Sequence, residues 1–162
     1  MQPAMTPRTL DSLANDSRGI GQRRLMSAIA LIAVAGAIVS SVSLYHHYRT
    51  SKTAFCNFGA SFNCDLVNRS PYSIVLGVPV ALIGILGYLL ILSLATIYRD
   101  KAETPFMLLI ASVGGLCFAL YLTYIEKFVL AAWCILCLGS LTLIFSAALL
   151  SAVLAARSLR KR

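Results

Sequence analysis

The chain has 162 residues, of which 59% are hydrophobic and only 12% charged, with a mean hydropathy of +0.81. A soluble domain carries about 25% charged residues, so this composition excludes an ordinary cytosolic enzyme and points into a membrane. The net charge of +8 is gathered into short clusters between apolar runs, which is the distribution of topology signals and anionic-lipid contacts rather than of a nucleic-acid footprint.

Residues 1–24 mix Pro, Ser, Thr, Asp and Arg without apolar periodicity, and predict a disordered cytoplasmic arm. Four uncharged apolar runs follow, 25–45, 71–98, 105–125 and 128–156, none containing Asp, Glu, Lys or Arg. Each exceeds the ~18 residues a spanning helix needs. The first is longer than the ~7–15-residue core of a signal peptide, and three more follow it, so it is retained as a helix. The expected fold is an all-α membrane protein, a four-transmembrane-helix bundle over residues 25–156, with an extracytoplasmic capping loop at 48–70 and a basic cytoplasmic tail at 157–162. Arg8, Arg18, Arg23, Arg24, Arg99, Lys101, Arg157, Arg160, Lys161 and Arg162 then share one side, ten of the fourteen basic residues. The positive-inside rule makes that side, with both termini, cytoplasmic.

Cysteines carry the chemistry. Cys56 and Cys64 lie in the long polar segment after the first run, and Cys134-x-x-Cys137 opens the last one. With a helix starting near residue 128, the latter two share a helix face one to two turns in. Both pairs fall on the outer side, where disulfides persist. Two dithiols within reach of each other can relay electrons by thiolate exchange. Competing readings are a zinc site, which the wide Cys56-x7-Cys64 spacing disfavours, and two static disulfides stapling a non-catalytic membrane scaffold. Cys117, inside the third run, reads as a small buried hydrophobe.

Phe55, Phe58, Phe62, Tyr72 and Trp133 surround the two pairs in sequence. They suit an apolar cap over a planar ring, or the aromatic belt of a membrane interface. His46 and His47 close the first helix and read as interfacial anchors. Gly84 and Gly87 permit close helix packing, and Pro79 places a kink near the outer end of the second helix.

Cys56-x7-Cys64-Asp65, then Asn68, Ser70 and Tyr72-Ser73, then Gly77-Val78-Pro79, and finally Cys134-x-x-Cys137, together resemble the vitamin K epoxide reductase family, and more narrowly its bacterial homologues. The resemblance extends over about residues 25–156. It implies a membrane thiol–disulfide oxidoreductase that passes electrons from a thioredoxin-fold partner to a quinone, whether menaquinone, ubiquinone or phylloquinone. It implies that Cys134 and Cys137 are the active pair, with Cys137 nearest the quinone. Cys56 and Cys64 become the shuttle, Cys64 forming a mixed disulfide with Cys134. Ser70 falls beside the quinone, and Tyr72, Phe62 and Trp133 are candidate contacts. Many bacterial relatives fuse a thioredoxin-like domain after the helices. Six residues follow Ala156 here, so the implied partner is a separate DsbA-like protein, and the implied location a bacterial inner membrane. Vertebrate members carry a Tyr where this chain has Leu141, a departure that touches epoxide reduction and not plain quinone reduction; a vitamin K quinone/epoxide reductase is the alternative reading. A DsbB-type oxidase also has two cysteine pairs, but its Cys-x-x-Cys comes first in sequence; here it comes last.

Overall fold

The computed structural model describes the backbone of residues 7–48, 63–75 and 77–160, and side chains from Gly19 onward within those segments. The elements in chain order are α1 (Pro7–Tyr48), α2 (Cys64–Asn68), a 3-10 turn (Pro71–Ser73), β1 (Ile74–Val75), β2 (Val78–Pro79), α3 (Val80–Thr96), α4 (Thr104–Phe128) and α5 (Ile135–Leu159). The helices α1, α3, α4 and α5 correspond in order to the four apolar runs.

Three of them are long and apolar enough to cross a membrane: Gly19–Tyr48 within α1, then α4 and α5. The helix α3 is apolar but has 17 residues. It is shorter than the run 71–98 suggests because that run opens with the 3-10 turn and the two short strands before α3 begins. Pro79 has no N–H to give a preceding turn, and Gly77 adopts φ +81 to reverse a two-stranded hairpin, so the helix begins only at Val80. Ile74 pairs with Pro79 and Val75 with Val78.

The arm differs from expectation in the other direction. Helix α1 starts at Pro7 and runs without a break into the apolar segment, so residues 7–24 are helical rather than disordered. Proline is pre-organised for the first helical position, and Leu and Arg, which recur through this stretch, are good helix formers. An apolar helix already nucleated downstream needs only to be extended.

On α1, Met26, Ile29, Ala33, Ser40 and Ser43 are buried at three- and four-residue spacing, with Gly36 on the same stripe. That stripe packs closely against α3 and also against α5; α4 packs on α5 and more sparsely on α3. Gly36 sits where a Cβ would come within 2.2 Å of the Tyr88 ring, so only glycine lets α1 and α3 approach here. Ile29, Ala33, Tyr88, Ile91, Leu108, Ile144 and Leu154 form the core between the four helices. Leu31, Ile38, Ile110 and Leu149, turned outward, are exposed, as expected of surfaces that meet lipid.

At one end of the bundle, Arg23 and Arg99 share a small hollow, and Arg157 lies beside Gly21. Those residues belong to three of the basic clusters. The two cysteines of Cys134-x-x-Cys137 lie at the opposite end.

Candidate functional site

The site is built on a broken connection between α4 and α5. The last turn of α4 is closed by the Val129 and Leu130 amides returning to the Ile125 carbonyl, at 2.9 and 3.1 Å. Ala131 then enters the left-handed region with φ 47, and the Ala132 amide returns to the Glu126 carbonyl at 3.2 Å. The chain is therefore extended at Cys134 (φ −109, ψ 117), which is the N-cap of α5. This corrects the expectation that both cysteines lie one to two turns inside a helix. Cys137 stands in the first turn and Cys134 just ahead of it.

That position sets the chemistry of Cys134. Its thiol is held below the ordinary thiol range, first by the Cys137 thiol, which hydrogen-bonds to it, and further by the backbone amides of Cys137 and Leu136. Burial and the Glu126 carboxylate oppose the shift without cancelling it. The start of a helix favours negative charge for the same reason it favours acidic caps. Cys134 is thus the more acidic thiol of the pair, with Cys137 as its hydrogen-bond donor.

A second segment is folded onto this connection. The Asn63 amide donates to the Trp133 carbonyl at 3.1 Å, and the Asn63 side chain caps α2 through the Leu66 amide at 3.0 Å. Cys64 and Val67 are thereby buried in one cluster with Ala132 and Cys134, Cys64 at 1% and Cys134 at 0% exposure. Cys64 is disulfide-bonded, whereas Cys134 and Cys137 are free thiols. The structure accordingly brings Cys64 and the Cys134/Cys137 pair together without a bond between them. Cys56 and Phe62, like Phe55 and Phe58, lie outside the described residues. Cys117 is a free thiol and is exposed on α4, not buried as its place in an apolar run suggested.

Next to the pair lies a cavity of about 360 Å³, walled by all four long helices and by residues of α2 and the 3-10 turn. Cys137, Ser70 and Tyr72 line it; Trp133 does not, and contributes its carbonyl to the loop tie instead. Ser70 is 7% exposed and donates its hydroxyl to the Val67 carbonyl at 2.9 Å, so toward the cavity it offers an acceptor. Among the other walls, Gly84 packs tightly on Ser40, while Gly87 faces open space.

Several lining residues escaped the sequence reading. Asn68 is buried; its Oδ1 accepts from Ser43 at 2.8 Å, and its Nδ2 has no hydrogen-bond partner among the described residues. His47, read as an anchor, hydrogen-bonds through Nδ1 to the Asn68 carbonyl and lines the cavity. The Tyr88 hydroxyl donates to the Ser140 carbonyl at 2.9 Å. Glu126 is 2% exposed, lines the cavity, and accepts the Cys134 amide on Oε2 at 3.2 Å. The signal for Glu126 was available: an acid between two apolar runs, eight residues before Cys134.

A vicinal dithiol with one thiol more acidic than the other, at the edge of an apolar hollow among helices of which three are long enough to cross a membrane, defines a membrane redox protein. Comparison with known families agrees. The model of the vitamin K epoxide reductase family matches residues 27–152, most of the chain. The chain belongs to that family, and a membrane redox enzyme is the role the family supports.

Proposed function

We propose that the protein is a quinone-dependent thiol–disulfide oxidoreductase that supports extracytoplasmic disulfide formation. Electrons pass from a separate thioredoxin-fold protein to Cys56/Cys64, then to Cys134/Cys137, then to quinone. The observation that carries this reading is the position of Cys137. It stands in the cavity wall, while Cys134 behind it shares a buried cluster with Cys64. One pair can therefore face a small molecule and the other a protein.

The cavity suits a quinone. Its volume fits a one- or two-ring head group, its walls are largely apolar, and Asn68 Nδ2 is a buried donor with no protein acceptor, suited to a quinone carbonyl. Cys137, Asn68, Ser70 and Tyr72 are the residues that would hold the ring. The quinone supplies a two-electron, two-proton sink. The free thiols at Cys134 and Cys137 favour a working pair over a static staple. In the same proposal α3 is the fourth span, both termini are cytoplasmic, and the site opens outward from a bacterial inner membrane.

The deciding experiment is anaerobic quinone reduction by purified protein given a reduced thioredoxin-fold donor. Ubiquinone and menaquinone analogues should bleach with the wild-type protein and remain oxidised with Cys137→Ser. If no quinone is reduced and Cys64 stays bonded under mild reductant, the protein is a stapled scaffold, since structural bridges resist such reduction.

A further inference from the structure

Glu126 is the only buried acidic side chain among the described residues, and the reading above gives it no task. Among the described residues no cation neutralises it: Lys127, its neighbour on α4, lies over the Phe128 ring, 5.2 Å from the centroid, and none of the cavity's described walls carries a Lys or Arg. The titratable groups that share the cavity wall with it are His47 from α1, Tyr72 from the 3-10 turn, Tyr88 from α3 and Cys137 from α5. A buried acid without a counter-ion is expensive, so a structural role alone is a poor reason for its presence.

Its contacts all point to the cysteine pair. Oε2 holds the Cys134 amide, and the backbone carbonyl holds the loop that delivers Cys134. Oε1 has no hydrogen-bond partner among the described residues, and Glu126 shares the cavity wall with Cys137. We propose that Glu126 is the proton carrier of the Cys134/Cys137 pair, taking the Cys137 proton as the dithiol closes.

The balance is simple, and it rests on the redox reading above. With Cys134 entering as thiolate, a single S–H bond remains, at Cys137. Closing the pair forms one S–S bond, breaks that S–H bond, and releases two electrons and one proton. The electrons go to the acceptor, a quinone; the proton goes to the Glu126 carboxylate and is then passed to the acceptor, which draws its second proton from water. Glu126 returns to its charged form. A buried carboxylate anchored on the Cys134 amide, in the same cavity wall as Cys137, is placed for general-base transfer.

Glu126→Gln separates this role from mere positioning. Glutamine keeps an oxygen for the Cys134 amide and nearly the same shape, yet it cannot carry the proton. Two readouts are needed. In reduced, quinone-free protein with isotope-labelled cysteine, the Cys134 Cβ chemical shift should report thiolate formation at lower pH in the Gln variant, because a negative charge that opposes the thiolate is gone. With donor and quinone present, kcat should fall by about 10²–10⁴-fold with KM little changed, and Glu126→Asp should recover part of the loss. A Gln variant with wild-type kcat and an unmoved titration overturns the proposal. Failure of the wild-type protein to reduce quinone strikes the functional reading instead, and the titration then decides alone whether Glu126 is coupled to the cysteines.

Discussion

Asn68 shows how much one side chain can be asked to do. Its Oδ1 is spent on Ser43, its carbonyl receives His47, and its Nδ2 is left over in a buried wall. An unmatched buried donor costs about 1–3 kcal/mol, a cost that a ligand carbonyl would remove. Asn68→Leu should therefore raise KM for quinone by about threefold to tenfold, the worth of one neutral hydrogen bond of roughly 0.5–1.5 kcal/mol, and leave reduction of the Cys64 disulfide by the donor intact. Unchanged quinone KM in steady-state assays would remove Asn68 from the binding site. The sequence made the cysteines plain, because their spacing is itself the chemistry. It did not reveal Asn68 or His47, because what matters there is an unpaired atom or a contact across 21 to 25 residues, and spacing carries neither; for Glu126 it offered the place between two apolar runs but not the hold on the Cys134 amide.

At the scale of elements, hydropathy located α1, α3, α4 and α5 but not their ends. Apolar residues continue through both the hairpin before α3 and the connection after α4. Helix ends are decided instead by Pro79, Gly77 and the left-handed Ala131, which hydropathy does not weigh. The arm was misjudged for the opposite reason: its polarity hid a helix that extends an apolar one. Packing between elements depends on Gly36. A methyl group there collides with the Tyr88 ring, which Tyr88 cannot easily move while its hydroxyl holds the Ser140 carbonyl. Gly36→Ala should cost about 1–3 kcal/mol, read as a lower unfolding temperature in detergent. Adding Tyr88→Leu should recover part of that loss, so the two changes should be less than additive. Additive losses would show that the contact between α1 and α3 is not the source.

For the whole molecule, oxidation of an extracytoplasmic partner requires the two ends of the bundle to face different compartments. Arg23, Arg99 and Arg157 gather at one end and the free thiols Cys134 and Cys137 at the other, and that polarity supports the assignment. In intact cells treated with reductant, an impermeant thiol reagent added outside should label Cys56. A reporter fused after Arg162 should be active only in the cytoplasm. Labelling of Cys56 that requires opening the membrane would reverse the orientation and separate the site from any extracytoplasmic partner.

The brevity of α3 reaches beyond the protein. Seventeen residues at about 1.5 Å each rise about 25 Å, against roughly 30 Å of hydrocarbon. As a fourth span, α3 would leave the hairpin to make up the missing height, with Ile74 and Val78 exposed at its surface and its strands satisfying each other's backbone groups. Any height the hairpin does not cover would have to be met by thinning of the bilayer on this side of the bundle, at a fraction of a kcal/mol per Å of mismatch. Under the proposed function, membrane thickness would thereby become a variable of catalysis. A thin bilayer would leave the turn carrying Ser70 and Tyr72 at headgroup level, whereas a thick one would draw the hairpin inward and pull on the wall of the cavity.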